Sequence, residues 1–176
     1  MYQFNAQKLA AVAIAQSTEA TRYYLNGVCL HGDTAVATDG HILTKAIDQE
    51  HTNPPEQAIF PVSKKAITAM KKNTAAKVTF ENDVLTVLDE TESVLHLEPS
   101  KQIDGTFPDY NRVIPDGDFE SSLGGFAPDL LIRLSNTAKI LITGPLVLTG
   151  EDASSPHKVK YVGSSDVMSV IMPMRQ

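Results

Sequence analysis

Apolar and polar positions divide the chain into three segments that share one order of elements. Each opens with a short strand, continues as a helix of about three turns, and then runs through several strands. The first opens at Tyr2–Asn5. A helix over roughly 6–16 follows, with Leu9, Val12 and Ala13 on one face. Strands are predicted near 23–30, 34–38 and 41–47, with Gly32-Asp33 and Asp39-Gly40 as turn residues. The second opens at 58–61. Ser63 is a natural N-cap for a helix to about Lys72, whose apolar stripe is Ala66, Ile67 and Met70. Strands near 77–80, 84–88 and 93–97 follow, with Glu81-Asn82-Asp83 between the first two. The third opens near 123–126. Pro128 suits a first helical position, Leu130, Leu131 and Leu134 form the predicted buried stripe, and Arg133 is expected to face away. Strands are then predicted near 140–143, 146–149, 159–162 and 168–172. This is a βαβββ unit used three times with a period of roughly 55–60 residues. The units share little sequence. Residues 103–125, IDGTFPDYNRVIPDGDFESSLGG, are rich in Gly, Pro and Asp and read as a linker.

The chain has 176 residues, enough for one domain and part of a second, and its 42% hydrophobic fraction can fill a core without disulfides or metal. Cys29 is the sole cysteine, which fits a reducing compartment; it reads as a small buried residue, with a reactive thiol as the alternative. No stretch approaches the ~18 apolar residues of a membrane span. The N-terminus MYQFNAQKL has no secretory pattern. The expectation is a cytoplasmic protein without a membrane partner.

The net charge of −6 argues against general nucleic-acid binding, but its distribution is uneven. Lys64, Lys65, Lys71, Lys72 and Lys77 crowd one short segment, where Glu56 is the one acid between Glu50 and Glu81. Acids collect in DETE (89–92) and DGDFE (116–120). The lysine helix has two readings. It is a solvated face, or it is a surface whose mutual repulsion a polyanion would relieve.

Catalysis finds no positive support. His31, Asp39 and His41 are close in sequence, but no HxH, HExxH or cysteine pair accompanies them, and turn residues plus a surface histidine explain them. Ser, His and Asp occur without a nucleophile-elbow motif. Gly124-Gly125 is too short for a phosphate loop. No cofactor is expected. Recognition is better served: Met168, Met172 and Met174 suit an adaptable apolar surface, and Pro173 makes that segment an edge or a trailing tail. A last core strand with a frayed tail is the plainer alternative.

Five stretches, in order, carry a resemblance: TRYYLNG (21–27), VATDGHIL (36–43), FPVSKKAITAMKK (60–72), DGTFPDYNRVIP (104–115) and VIMPMR (170–175). Together they resemble the β subunit of bacterial DNA polymerase III, the sliding clamp. The resemblance covers nearly the whole sequence. Residues 1–115, ending in linker 103–115, resemble the family's middle domain. Residues 116–176 resemble the second half of its last domain. The family's first domain, and the first half of its last, have no counterpart.

The resemblance implies an α+β DNA-clamp fold of three βαβββ units, with helices lining one face and antiparallel sheets on the other. It implies a non-enzymatic processivity factor that encircles duplex DNA without regard to sequence and tethers polymerase or repair proteins. A clamp loader is a further candidate partner. Carried over position by position, the partner-peptide pocket would comprise Arg22, Leu25, Thr38, Gly40, His41 and Leu43, then Pro108, Arg112 and Val113, then Val170, Met172, Pro173, Met174 and Arg175. DNA would meet Lys8, Tyr24, Lys64, Lys65, Lys71, Lys72 and Arg133. Ile42 stands where the family usually has arginine, and the final Gln176 is a second departure. The family's ring holds twelve units, so three per chain predicts a homotetramer, with a dimer or trimer as alternatives. The competing reading is a protein-binding module that forms no ring and competes with a host clamp for clamp-binding peptides.

Overall fold

The computed structural model describes residues 1–72, 74–115 and 124–174. β1 (Tyr2–Asn5) runs directly into α1 (Ala6–Ala13), where the Asn5 side chain accepts the Lys8 N–H at 3.1 Å. Small side chains let α1 sit deep: Ala6 and Leu9 through Ala13 are all buried. The helix stops short of the predicted Gln16. Ala15 and Gln16 instead make tight bonds to Val12 and Ala13, and the Gln16 amide donates to the Val62 carbonyl at 2.6 Å.

β2 (Val28–His31), β3 (Thr34–Thr38) and β4 (Ile42–Ile47) follow. The strand predicted from Tyr23 starts late, because Tyr23–Leu25 forms a 3₁₀ turn. Gly27 accounts for the abrupt entry into β2: a Cβ there would lie 2.6 Å from the Phe60 carbonyl oxygen. β5 (Ala58–Phe60) leads to α2 (Lys64–Met70), capped by Ser63 as expected, its hydroxyl accepting the Ala66 N–H at 3.1 Å. β6 (Ala75–Glu81), β7 (Val84–Asp89) and β8 (Val94–Pro99) complete the second unit.

The third unit departs further from expectation. Gly124, Gly125 and Phe126 form no strand, and Leu123 lies outside the described residues. The helix α3 (Pro128–Leu141) takes in the start of the strand predicted at 140–143. Leu134, Thr137 and Ile140 recur at helical spacing and are buried, which outweighs the β-branched look of that run. The helix ends at Ile142, which adopts the left-handed conformation at φ 52°. Leu131, expected in the buried stripe, is 40% exposed. β9 (Leu146–Thr149), β10 (His157–Tyr161) and β11 (Ser164–Ile171) then form an antiparallel sheet. The described part of this unit is therefore αβββ.

Two sheets result, ordered β1-β6-β7-β8 and β5-β2-β3-β4-β11-β10-β9. The first two units exchange their opening strands: β1 pairs with β6 and β5 with β2. The third unit joins through β11, which runs antiparallel to β4 from Val167↔Ala46 to Ile171↔Ile42. So β11 is an interior strand, and only the segment after Ile171 trails. The main core lies on the helix side of both sheets, around α1, which touches both α2 and α3. At the β4–β11 seam, Ser169 Oγ lies 2.7 Å from both Thr44 Oγ1 and Tyr161 Oη, a buried hydroxyl chain that needs both units in place.

Candidate functional site

The β3–β4 turn is built by its own side chains. Thr38 Oγ1 donates to the Ile42 carbonyl at 2.8 Å and accepts the Gly40 N–H at 3.0 Å. Asp39 Oδ1 accepts the N–H groups of His41 and Ile42 at 2.9 and 3.0 Å. Gly40 has φ +92°, and a Cβ there would lie 2.6 Å from Arg22 Nη1, so glycine is needed for conformation and for space. Arg22 is held over the turn by Glu19, at 2.9 and 3.0 Å.

Alternation along β4 separates the flanking residues. Ile42 joins the helix-side core and is 1% exposed, while Leu43 points to the other face. There a second apolar cluster gathers Leu25, Cys29, Val36, Leu43, Ile59 and Val170 beneath Phe107 and Tyr110 of the linker. Burial pushes the Cys29 thiol up to about 12, which fits a buried apolar residue and not a reactive one. Tyr110 Oη lies 3.1 Å from His31 Nε2. Burial, and then Lys45, hold His31 below its ordinary value.

Linker and tail complete the wall. Asp109 accepts the Asn111 N–H and starts a 3₁₀ turn over Tyr110–Val113, which leaves Pro108, Arg112 and Val113 exposed. Arg112, Val113 and Ile114 face Glu151, Ser155 and Pro156 of the β9–β10 loop across a cavity of about 370 Å³. The Met172 N–H donates to the His41 carbonyl at 3.0 Å, and the Met174 N–H to the Gly125 carbonyl at 2.7 Å. Met172 and Pro173 are half-buried and Met174 is exposed. Of the predicted set, Leu25, Leu43 and Val170 are thus brought into one cluster. Arg22, Thr38, Gly40 and His41 stand at its turn end, and the linker and tail residues border it. Arg175 lies outside the described residues. Glu151, Ser155 and Pro156 were not anticipated. Phe107 and Tyr110 carried a usable signal, two aromatics in a linker otherwise too polar to anchor itself.

The basic residues divide into two groups. Lys64, Lys65, Lys71 and Lys72 are exposed at α2 and its C-terminal end, with no ion pair among the described residues. Lys77 differs, bonding Glu92 at 2.6 Å. Lys8 and Arg133 are occupied internally. Lys8 Nζ lies 3.1 Å from Asp166 and donates to the Ile47 carbonyl at 2.9 Å. Arg133 does not face away as expected: it donates to the Ile14 carbonyl and to Asp39 of the turn. Both therefore tie the third unit to the first. Tyr24 packs with the linker cluster, on the sheet face opposite the helices. His31, Asp39 and His41 do not share a ligand: Asp39 is engaged by Arg133 and His31 by Tyr110.

No protein-family model matches the chain. It is 42% identical over 114 residues to the beta sliding clamp of Caulobacter vibrioides, covering 57% of this chain and 30% of that protein. It is 29% identical over 122 residues to the beta sliding clamp of Rickettsia bellii, covering 63% of this chain and 31% of that one. Among solved structures, the sliding clamp of Bartonella birtlesii bound to griselimycin superposes with a TM-score of 0.70 at 22% identity, over 99% of this chain and 66% of that chain. The DNA polymerase beta subunit of Streptococcus pyogenes gives 0.70 at 15% identity, over 99% and 65%. The fold is therefore that of the DNA sliding clamps.

Within that class, the sequence matches make the chain DNA polymerase III beta-like, related to the bacterial beta sliding clamps. It spans about 30% of the length of these curated relatives and about two thirds of the solved clamp chains. Among the described residues no helix is long and apolar enough to cross a membrane.

Proposed function

We propose that the protein works as a sliding clamp without a catalytic step: it holds duplex DNA by charge and tethers DNA-working proteins by a short apolar peptide. One observation carries this reading. Three segments far apart in sequence, the 38–43 turn, the 103–115 linker and the 170–174 tail, meet on one sheet face around an apolar cluster. A single half-domain could not assemble that surface, because the turn belongs to the first unit and the tail to the third. Apolar walls with a methionine suit leucine or phenylalanine side chains, and the turn's polar groups would fix the peptide's course. The α2 lysines offer phosphate contacts on a different surface, which carry no sequence information, as sliding requires.

The open edges of β8 and β9 support assembly of several copies, since an unpaired strand edge invites another chain. With three units per chain, a closed ring the size of the family's takes four chains. The pocket is tested by titrating a synthetic peptide with a Leu-Phe core into the whole chain and into a form ending at Ile171. The expected result is binding by the first and loss of at least tenfold in affinity by the second, which lacks the tail wall. Equal affinity would overturn the pocket.

A further inference from the structure

Both junctions inside the chain join like to like. Units one and two meet on the side of the strands that follow their helices. There β2 is closed by β5 and β6 by β1, each an opening strand lent by the other unit. Tyr2 of β1 and Phe60 of β5 touch across this junction, their ring centroids 5.3 Å apart. Its strand edges are covered: Gln3 and Asn5 donate to Asn53 and Asp48, and Ile59 bridges Ile103. Units one and three meet through their last strands, β4 and β11. At neither junction does a helix-following strand meet a last one.

Among the described residues β8 and β9 are left as open edges, and they differ. β8, the last strand of unit two, is blunted. Its register shifts beside Val87 and Leu88, and it ends in Pro99, which has no N–H to offer. It also lies against α2 with its exposed lysines. β9, the helix-following strand of unit three, has none of these devices. Leu146–Thr149 contains no proline or charged residue, and its pairing with β10 runs without a register shift. Leu146 and Leu148 pack on the main core, so alternation puts Val147 on the other face, where it is 42% exposed. The helix of the same unit is uncovered too. Arg133 donates to the Ile14 carbonyl beyond α1, and Leu131, about 200° round the helix from it, is 40% exposed. By contrast, α1 packs against both α2 and α3.

We infer that the β9 edge and the free flank of α3 form a self-association face, and that its occupant is the same face of a second copy across a two-fold axis. The inference rests on the ring assembly proposed above and specifies its tighter joint. Like meets like at both junctions that the chain already makes, so the match for a β9 edge is another β9 edge and not β8. A two-fold contact uses one patch twice. Because β9 carries no charge, pairing two copies of it sets no like charges opposite one another. The joint gives the third unit the kind of neighbour that units one and two give each other. The blunted β8 makes the weaker joint, so four chains assemble as a pair of dimers.

The test is thiol cross-linking of the full chain with a short bis-maleimide. Cys29 is buried and its thiol is pushed up to about 12, so it stays silent. Val147→Cys and Leu131→Cys are made singly, with Glu90→Cys on an exposed turn as the control for random collision. Across a two-fold axis a residue meets its own counterpart, so the single variants should give a covalent dimer and no longer ladder. Linkage should run at least ~10-fold faster than in the control, because contact raises the effective thiol concentration from micromolar towards about millimolar. Native mass spectrometry of the unaltered chain on dilution decides the matter even if the variants fail to fold: dimers should outlast tetramers, and trimers should be absent. Trimers, or linkage of Val147→Cys mainly to a tagged Leu97→Cys chain, overturn the inference and leave the ring standing. Tetramers in which neither single variant links to itself overturn it as well. A monomer at every concentration overturns both.

Discussion

Asp39 does two jobs with one carboxylate. One oxygen closes the turn on the N–H groups of His41 and Ile42, and the other receives Arg133 from α3. Burial alone would raise its pKa, but the Arg133 bond and the two backbone donors outweigh that and hold it below the usual carboxylate value. A carboxylate depressed in the folded state contributes stability that is fully present above its unfolded pKa and is lost as pH falls through the folded one. Asp39→Asn should therefore cost about 1–3 kcal/mol at neutral pH, leaving Arg133 half-buried and unneutralised. Melting curves of the variant and the native chain from neutral to acid pH check this: the gap should narrow as pH drops below about 4. A gap that is constant with pH would mean that the charge on Asp39 contributes nothing. Asp39 was legible in the sequence only as a turn former. Its partner sits 94 positions away, and no local pattern announces so distant a bond. Ile42 was flagged as a departure from the family's arginine. Its burial in the helix-side core accounts for an apolar residue there, because an unpaired guanidinium at that depth would be costly.

At the level of elements, period and turn chemistry located most strands and all three helices. They failed where tertiary packing overrode local preference. The YYL run is strand-like in composition but turns, because Gly27 must bring the chain against β5. The run from Ile140 looks β-branched yet begins as helix, because its first residues extend the Leu134 and Thr137 stripe. The lysine helix was visible as a pattern, and its exposure agrees with either reading made of it. Charge reversal at Lys64, Lys65, Lys71 and Lys72 separates them. Fluorescence anisotropy with a DNA duplex should show weakened association, and the native protein's affinity should fall steeply with salt. Peptide affinity should stay unchanged, since the pocket lies on the opposite sheet face. Unaltered DNA binding would return the helix to a solvated face. The linker was readable as a connection but not as a lid. Its polar composition reads as a connection, and Phe107 and Tyr110, which pin it onto the sheet, were its one usable signal of a packed role.

At the scale of the whole molecule, the third unit is attached by β4–β11 pairing, by the Thr44–Ser169–Tyr161 hydroxyl chain and by the Lys8 and Arg133 ties. These contacts hold the 38–43 turn and the 170–174 tail, the two sides of the proposed peptide pocket, at a fixed spacing. The far ends of the molecule remain open. β8 is an edge strand with Val94 and Leu97 exposed, and β9 ends the longer sheet with Val147 exposed. Apolar side chains next to unpaired strand edges are costly in water, and pairing between copies removes both liabilities. That is the physical basis for a ring, and ring closure is the claim on which clamp function depends. Native mass spectrometry of the whole chain at micromolar concentration tests it most directly. A dominant species of four chains, about four times the 19.1 kDa mass, is the expected result. A stable monomer across that concentration range would contradict the ring and favour an open module that competes for clamp-binding peptides.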